Sequence, residues 1–423
     1  MNVKIKPSRH LKGHITAPAS KAQTHRALFT ALLTSGITKI VNPLLCDDTK
    51  ATANAITALG AKISVSTSEQ SVLGFGGPQP PTAVLNCGES GVTMRFVIPI
   101  LSLTGVECQV RGEESLMRRP IEPLANALKQ LDVPITIQNG LLSVRGGPPE
   151  GGEITIRGDV SSQFISGLLL AGTLMKKGLV VNVTSTLESR NYVLLTIEAL
   201  KRHGVNVRIV ENMSRLEVPE GQRFLPAVHR ILGDFSSASC ILAAAAITRS
   251  PLVVHNLNRS LEPDSVFIDI LSRMGARIKV EHDEVRVESG KLKAANINLK
   301  DCPDLGPIVA VLGCYAEGKT EITGAARLRY KESDRLGSMQ AELYSLGADI
   351  TETDDGLILK GPATLKGGSV CAHNDHRIAM ALSVAALGAQ REVVIRGAEC
   401  VSKSYPNFFE DLRTIGVEVE IIG

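Results

Sequence analysis

Residues 194–209 read "LLTIEALKRHGVNVRI": an amphipathic helix pattern, a glycine turn and an alternating strand pattern. The same order recurs at 51–65, 124–137, 266–280, 339–352 and 408–422. The turn residues of the six copies, which recur about every 70 residues, are Gly60, Asp132, Gly204, Gly275, Gly347 and Gly416. Glycine and, less readily, aspartate adopt the left-handed conformation that ends a helix. The regular period predicts six structural units, each packed against its neighbours.

Apolar stretches rich in alanine and leucine come before the repeat helices and predict a second, fully buried helix in each unit. These stretches are 26–35, 93–103, 163–175, 237–247, 305–316 and 376–388. The alternation of helices and strands places the chain in the α/β class. Because 423 residues exceed the usual size of a single core, we predict two domains of three repeats each. A polar loop at 220–239, which contains Pro226, is the predicted boundary.

The composition argues against several classes of protein. A net charge of +3, the absence of tryptophan and an aromatic content of 3% disfavour a nucleic-acid-binding surface. The cysteines show no CxxC spacing and form no ligand cluster with the histidines, so we expect reduced thiols and no zinc site. The start "MNVKIKPSRHLKG" lacks the apolar core of a signal peptide, and the apolar runs are too short to span a bilayer. We therefore expect a soluble cytoplasmic protein without a membrane partner.

Five loops place polar or charged residues at the start of a predicted buried helix. They are 20–26, 86–95, 161–164, 233–239 and 374–380. Taken singly, each is typical of an ordinary helix cap. Helix N-termini also bind phosphate and carboxylate groups, and three of these loops carry an arginine, namely Arg26, Arg95 and Arg377. Lys21 and Arg26 together put two positive charges at a predicted helix start, where anionic side chains are normally preferred. The set favours an anion-binding site.

Two further stretches supply candidates for acid–base chemistry. Residues 328–336, "LRYKESDRL", place Glu332 between cations, and residues 300–307 contain Asp304. A mixed charge run is usually a solvated helix face. The alternative is an ionised, hydrogen-bonded glutamate suited to proton transfer. Arg119, just before Pro120, and Lys403, just before the last repeat helix, are additional cationic candidates.

Seven motifs, in order and over nearly the whole chain, resemble those of the 5-enolpyruvylshikimate-3-phosphate synthase family of enolpyruvyl transferases. They are "SKAQTHR" (20–26), "GESGVTMR" (88–95), "RPI" (119–121), "SSQF" (161–164), "GDFSSAS" (233–239), "KESDRL" (331–336) and "DHRIAM" (375–380). The resemblance implies a two-domain α/β fold of six βαβαββ repeats, three per domain, around a cleft that closes on its substrates. It implies one domain at 18–229, a second at 1–17 with 230–423, and two crossovers between them.

The resemblance also implies transfer of the enolpyruvyl group of phosphoenolpyruvate to the 5-hydroxyl of shikimate 3-phosphate, with release of phosphate. The implied phosphoenolpyruvate-binding residues are Lys21, Gly91, Arg119, Gln163, Arg335, Arg377 and Lys403. The implied shikimate 3-phosphate-binding residues are Lys21, Arg26, Ser161, Ser162, Gln163, Ser189, Tyr192, Asp304 and Lys331. The implied catalytic residues are Lys21, Asp304 and Glu332. The resemblance further implies a monomer that needs no metal or organic cofactor and is inhibited by glyphosate.

Some positions depart from the family pattern, and two alternatives follow. Ala22 stands where the family usually has serine, and Val92 where it commonly has threonine. A catalytically idle anion-binding protein on the same fold is one alternative, against which the intact Lys21, Asp304 and Glu332 argue. The other is a UDP-N-acetylglucosamine enolpyruvyl transferase. That enzyme carries a catalytic cysteine five residues before the Arg-Pro of its mobile loop, where this chain has Glu114.

Overall fold

Six four-stranded sheets account for the named strands of the described residues, which in this computed structural model are 1–66, 68–138, 140–145, 147, 149–259, 262–288 and 290–423. The chain divides into two units. The continuous unit is Ala19–Ile231, and the discontinuous unit combines Met1–Pro18 with Leu232–Gly423. Each unit contains three of the sheets and its own cluster of buried apolar side chains.

The secondary structure of the continuous unit alternates helices with short strands. Its strands are Ser35–Val41, Lys62–Val65, Glu69–Phe75, Leu85–Asn86, Cys108–Arg111, Ile135–Gln138, Leu141–Val144, Gly152–Ile156, Leu179–Val183, Arg208–Val210, Arg215–Val218 and Val228–Arg230. Its α-helices are Lys21–Leu33, Asp47–Ala58, Gly91–Leu101, Glu114–Met117, Glu122–Lys129, Ser162–Gly172 and Arg190–Arg202. Short 3₁₀ helices span Ser102–Thr104 and Glu211–Met213.

The discontinuous unit has the same alternation. Its strands are Asn2–Ile5, His14–Thr16, Leu252–His255, Arg277–Glu281, Glu284–Glu288, Asn296–Asn298, Gly318–Thr323, Asp349–Thr353, Gly356–Gly361, Gly368–Cys371, Val393–Arg396 and Val419–Ile422. Its α-helices are Phe235–Thr248, Phe267–Arg273, Gly306–Tyr315, Arg335–Ser345, His376–Leu387 and Phe408–Thr414. The 3₁₀ helices are Pro263–Val266, Pro303–Leu305, Ala326–Tyr330 and Ala398–Lys403.

Every sheet has the same order of strands, which the third repeat illustrates. Gly152–Ile156 runs parallel to Leu179–Val183, with the buried helix Ser162–Gly172 as the connection between them. Leu179–Val183 then pairs antiparallel with Arg215–Val218, which pairs antiparallel with Arg208–Val210. This arrangement is the βαβαββ unit, so the predicted fold of six such repeats is confirmed.

Three repeats are completed by a strand that is distant in sequence. Val228–Arg230 pairs parallel with Ser35–Val41, and His14–Thr16 pairs parallel with Leu252–His255. Asn2–Ile5 lies between Val393–Arg396 and Val419–Ile422, antiparallel to both. Each unit therefore depends on chain segments from both ends of its sequence range.

The turn that follows each repeat helix has the predicted left-handed backbone. The φ angles are positive at all six positions, from 59° at Asp132 to 102° at Gly60. The left-handed conformation ends the helix and turns the chain directly into the next strand.

The buried helices have the polar N-caps that the sequence predicts. The side chains of Ser20, Ser90, Ser161, Asp234 and Asp375 each accept a hydrogen bond from a backbone N–H two or three residues further on. The sixth buried helix, Gly306–Tyr315, has no side-chain cap and follows the 3₁₀ helix that contains Asp304. Within the described ranges, no helix is long and apolar enough to cross a membrane.

Close packing of two buried helices aligns their N-terminal ends in the continuous unit. A Cβ atom at Gly167 would lie 2.5 Å from the carbonyl oxygen of Arg95 and 3.3 Å from Cα of Phe96. Glycine therefore lets Ser162–Gly172 approach Gly91–Leu101 at backbone distance. As a result, the side chains of Arg95 and Gln163, each near the start of its helix, can meet.

Candidate active site

A cationic cluster surrounds Gly91 at the start of its helix. Arg95 donates a hydrogen bond from Nη1 to Oε1 of Gln163 over 2.7 Å. A Cβ atom at Gly91 would lie 3.2 Å from Nη1 of Arg119 and 3.4 Å from Nη1 of Arg95. The fold thus brings Gly91, Arg119 and Gln163 together, as the resemblance implies. Two guanidinium groups at a helix N-terminus favour the binding of an anion there.

Arg95 belongs to the "GESGVTMR" motif, but the resemblance does not imply it as a binding residue. Its position in the "GESGVTMR" motif was the available signal. Its guanidinium also lies over the ring of Phe164, 5.3 Å from the ring centroid. This contact and the hydrogen bond to Gln163 hold the guanidinium beside Gly91.

Lys21 is the first residue of its helix and forms an ion pair with Asp48. The distance from Nζ to Oδ2 is 2.8 Å, and both side chains are largely buried. Asp48 lies in the first turn of the next helix, Asp47–Ala58, where an acidic residue interacts favourably with the helix dipole. Asp48 is not among the residues predicted from the sequence, although the "CDDTK" start of a repeat helix marks that position as acidic.

Arg26 lies away from the helix end where the sequence analysis placed it. The helix begins at Lys21, five residues before the predicted start, so Arg26 occupies the second turn. Its side chain is buried and donates to Oγ1 of Thr196 from Nε, and to the carbonyl oxygens of Ala22 and Tyr192. Arg26 and Tyr192 are therefore neighbours, and the hydrogen bonds of Arg26 connect the Lys21–Leu33 helix to the Arg190–Arg202 helix.

The three serines implied in binding are buried near helix starts. Ser161 caps Ser162–Gly172 by accepting from the N–H of Gln163, and Ser162 is the first residue of that helix. Ser189 precedes Arg190–Arg202 and has a left-handed backbone, with φ 55°. Thr196 in that helix donates to Oγ of Ser166, which ties the two helices together.

In the discontinuous unit, the buried guanidinium of Arg335 contacts three carboxylates. Its nitrogens lie 2.8 Å from Asp304, 2.8 Å from Glu332 and 2.7 Å from Asp375. Burial opposes the positive charge of Arg335, but the carboxylates outweigh this and raise its pKa. Lys331 adds a second cation, with Nζ 3.0 Å from Oδ1 of Asp304. The structure thus brings the implied residues Asp304, Lys331, Glu332 and Arg335 into one network.

The electrostatics of this network keep Asp304 ionised. Burial raises the pKa of its carboxyl, but the positive charges of Lys331, Arg335 and Arg377 together hold that pKa well below its usual range. Burial in turn lowers the pKa of the Lys331 ammonium, and the charge of Asp304 opposes this shift. Asp304 is therefore a charged hydrogen-bond acceptor at neutral pH, with a proton donor in contact.

Asp375 is the main residue of this network that the sequence analysis missed. It is fully buried, binds Arg335 through both oxygens, and accepts from the hydroxyl of Ser333 and the N–H of Arg377. Its place in the "DHRIAM" motif and at a helix start was the available signal. Its ion pair joins segments 40 residues apart, which no local pattern indicates.

Arg377 and Lys403 complete the cationic residues of this unit. Nε and Nη1 of Arg377 are buried, and no described residue accepts a hydrogen bond from either atom. Burial disfavours the charge of Arg377, but Asp304 and Asp234 raise its pKa. Nζ of Lys403 lies 2.6 Å from the carbonyl oxygen of Asn374. Since buried donors are nearly always paired with a protein, solvent or ligand acceptor, these two donors of Arg377 mark a position that an anion could occupy.

The loop before Arg377 has an unusual backbone that a glutamate stabilises. His373 and Asn374 both have left-handed conformations, with φ 51° and 54°. Glu342 accepts a hydrogen bond from the N–H of Cys371 over 3.0 Å and contacts Nε2 of His373 over 2.7 Å. Glu342 thus connects the Arg335–Ser345 helix to this loop.

Buried arginines at helix starts, and a carboxylate in contact with an ammonium, are features of an α/β protein suited to bind anions. The family model for EPSP synthase (3-phosphoshikimate 1-carboxyvinyltransferase) matches residues 5–412. The chain belongs to the EPSP synthase family.

Similar proteins and solved structures support the assignment of the chain to this family. A 3-phosphoshikimate 1-carboxyvinyltransferase of Methanocorpusculum labreanum is 40% identical over 413 residues, covering 97% of this chain and 97% of that protein. One of Clostridium novyi is 37% identical, covering 98% of this chain and 97% of that protein. Among solved structures, an EPSP synthase of Acinetobacter baumannii has a TM-score of 0.84 and 28% identity, covering 99% of this chain and 100% of that one. The family and the fold that the motifs implied are confirmed.

Proposed function

We propose that this chain transfers the enolpyruvyl group of phosphoenolpyruvate to the 5-hydroxyl of shikimate 3-phosphate and releases phosphate, a step of aromatic amino acid biosynthesis. The names of relatives up to 40% identical over nearly the whole chain support this activity. The observation that carries it is the network of Asp304, Lys331, Glu332 and Arg335, because it joins an anion-binding cation to two carboxylates.

Each unit contributes cations suited to phosphoenolpyruvate. Arg119 beside Gly91 in the continuous unit and Arg377 in the discontinuous unit can grip carboxylate or phosphate through paired N–H groups. Arg335, whose guanidinium already donates to three carboxylates, contributes its positive charge and at most a single N–H. Arg377 is the clearest case, since its Nε and Nη1 have no acceptor among the residues described. We assign phosphoenolpyruvate to Lys21, Gly91, Arg119, Gln163, Arg335, Arg377 and Lys403.

We assign a set of hydroxyl groups and cations to the binding of the second substrate, shikimate 3-phosphate. Shikimate 3-phosphate carries a carboxylate, a phosphate and hydroxyls, which suit serine hydroxyls at helix starts and a lysine. We assign it to Lys21, Arg26, Ser161, Ser162, Gln163, Ser189, Tyr192, Asp304 and Lys331. Arg26 donates to Thr196, Ala22 and Tyr192 within its unit, so we assign it to this substrate for its positive charge.

The reaction needs one proton to leave the attacking hydroxyl and one to reach the methylene carbon of phosphoenolpyruvate. Asp304, held ionised by its cationic neighbours, accepts a hydrogen bond from the 5-hydroxyl, and either orients it or takes its proton as the hydroxyl attacks. Glu332 carries the proton to and from the carbon, and Lys21 assists as a third catalytic residue. The tetrahedral intermediate then loses phosphate, while the surrounding cations stabilise the developing charge.

Measurement of phosphate release tests which substrate accepts the enolpyruvyl group. The purified chain is incubated with phosphoenolpyruvate and either shikimate 3-phosphate or UDP-N-acetylglucosamine, and free phosphate is measured. We expect release only with shikimate 3-phosphate. Release only with the nucleotide sugar would assign the alternative transferase activity, and binding without release would assign a non-catalytic protein. Inhibition by glyphosate, a monomeric state and a cytoplasmic location are further expectations of the proposal.

A further inference from the structure

His25 is a buried titratable side chain that the proposed chemistry does not use, although it lies inside the "SKAQTHR" motif. Its Nδ1 atom is 2.7 Å from Oγ1 of Thr52. Oγ1 of Thr52 is 2.6 Å from Oγ1 of Thr93, which donates to Oγ of Ser90 over 2.7 Å. All four side chains are fully buried. They form one hydrogen-bonded chain that crosses three helices and ends beside Gly91.

The direction of each hydrogen bond in this series follows from the single hydroxyl hydrogen that each threonine can donate. Thr93 gives its only hydroxyl hydrogen to Ser90, so Thr52 must donate to Thr93. Thr52 has then no hydrogen left for His25, so the Nδ1–H of His25 donates to Thr52. Nε2 consequently carries the lone pair, and among the described residues it has no hydrogen-bond partner.

The surroundings of His25 keep the ring neutral. Burial, together with the positive charges of Lys21 and Arg26, lowers the pKa of His25 well below its ordinary value. A neutral ring with a proton on Nδ1 agrees with the direction of donation. His25 therefore acts as a fixed donor rather than as an acid or a base.

The far end of the chain lies at the candidate anion site. Oγ of Ser90 accepts from both the hydroxyl and the backbone N–H of Thr93, at 2.7 and 3.3 Å. Both bonds hold the cap of the Gly91–Leu101 helix in one orientation. Gly91, the next residue, lies against the guanidinium groups of Arg119 and Arg95.

We propose that His25, Thr52 and Thr93 are positioning residues that fix Ser90, and through it the Gly91 end of the helix, for binding of an anionic group of phosphoenolpyruvate. The assignment rests on the proposed function, which puts this substrate beside Gly91. The three residues act through Ser90 and do not contact the substrate themselves. The motif histidine thereby links the Lys21 helix to the glycine-rich loop.

Variants of Thr93 test the proposal. Thr93→Val removes the hydroxyl with little change in shape, and we expect phosphoenolpyruvate to bind about fivefold to tenfold more weakly, the effect of one buried hydrogen bond. KM for phosphoenolpyruvate should rise by the same factor, with kcat nearly unchanged. Thr93→Ser keeps the hydroxyl and should bind like the wild type. Calorimetry with phosphoenolpyruvate gives the affinity without turnover.

The matched control is Ser102→Ala. Ser102 follows the C-terminal end of the same helix, and its buried hydroxyl donates to the carbonyl oxygen of Pro99 over 2.6 Å. We expect this variant to lose stability but to bind phosphoenolpyruvate normally. Equal weakening in Thr93→Val and Ser102→Ala would show a general effect of helix stability and would overturn the proposal. Unchanged binding in Thr93→Val would overturn it as well.

A second measurement uses the unmodified chain, so it does not depend on a variant that folds. ¹⁵N NMR of histidine-labelled protein should show His25 as a neutral ring with the proton on Nδ1, without titration between about pH 5.5 and 8. A proton on Nε2, or titration in this range, would contradict the proposal. Failure of the wild type to release phosphate with shikimate 3-phosphate would overturn the proposed function instead, because neither calorimetry nor NMR requires turnover.

Discussion

Arg335 shows how one residue can organise a site. Its planar guanidinium donates in three directions to Asp304, Glu332 and Asp375, a geometry that a lysine ammonium on a flexible stem does not reproduce. The motif "KESDRL" marked Glu332 as an acid between cations through its local charge pattern and supplied Arg335 through the resemblance. It was not sufficient to predict Asp375 as their partner, because that contact depends on how two distant segments pack.

Replacement of Glu332 tests its proposed role in proton transfer. Glu332→Gln keeps the size of the side chain and an oxygen acceptor for Arg335 but cannot carry the proton. We expect kcat to fall by about a hundredfold or more, with KM for both substrates changed little. Steady-state phosphate release measures both parameters. Glu410→Gln on the exposed side of Phe408–Thr414 is the control, and a kcat equal to that control would remove Glu332 from the mechanism.

Asp264 provides a pH-dependent test. It is buried and hydrogen-bonded to the hydroxyl of Ser236. Burial, together with the charge of Asp304, raises the pKa of its carboxyl to about 6. Because the folded state binds this proton more tightly than the unfolded state does, the contribution of Asp264 to stability falls as pH rises from about 4 to 6.

The comparison that isolates Asp264 is with Asp264→Asn, which has no proton to lose. Relative to this variant, the wild type should lose about 2 kcal/mol of stability between pH 4 and pH 7. Thermal unfolding of both proteins at several pH values measures the difference. A constant difference in Tm across this range would show that Asp264 titrates normally.

At the scale of elements, helix starts determine where the chemistry lies. The sequence predicted five polar caps correctly because a cap depends on a few adjacent residues. It predicted the first buried helix from residue 26, whereas that helix begins at Lys21. The polar residues Lys21, Gln23 and Thr24 hide its first turn from an analysis of apolar spacing. The misplaced start is why Arg26 was expected at the helix end.

The loop that precedes Arg377 depends on Glu342. Glu342→Ala removes an acceptor of the Cys371 N–H and the partner of His373, whose left-handed backbone is unfavourable for a residue other than glycine. We expect a loss of about 2 kcal/mol of stability and a higher KM for phosphoenolpyruvate. Glu342→Gln retains an acceptor, so its stability and its KM should lie between those of the wild type and those of Glu342→Ala. Glu410→Ala is the control, and a Tm equal to that of the control would show that the loop holds its conformation without Glu342.

At the scale of the whole molecule, the sequence predicts the repeats but not the distant strands that complete three of them. Gly60 and its five counterparts mark each unit through local turn chemistry. The pairing of Val228–Arg230 with Ser35–Val41 joins segments nearly the full length of a unit apart, and a three-residue strand has no periodic pattern to reveal it. Sequence alone therefore predicted the number and type of repeats, but not which strands complete them.

The pairing of Val228–Arg230 with Ser35–Val41 predicts how fragments of the continuous unit behave. A chain of residues 19–231 contains three complete sheets and one buried apolar cluster, so we expect it to fold by itself with cooperative thermal unfolding. A chain of residues 19–226 lacks the strand that pairs with Ser35–Val41 and should have a clearly lower Tm. Circular dichroism measures both transitions. Equal Tm values would show that Val228–Arg230 adds nothing to the unit.

The pairing of Asn2–Ile5 has a consequence for synthesis of the chain. This strand lies between two strands from the last 31 residues, and the N–H of Asn2 donates to the carbonyl oxygen of Gly423 over 3.0 Å. Asn2–Ile5 can therefore pair with these strands only after residues 393–422 have been synthesised. A nascent chain can complete the intervening repeats while translation continues, but the repeat that contains Asn2–Ile5 closes only when Val419–Ile422 has also emerged from the ribosome.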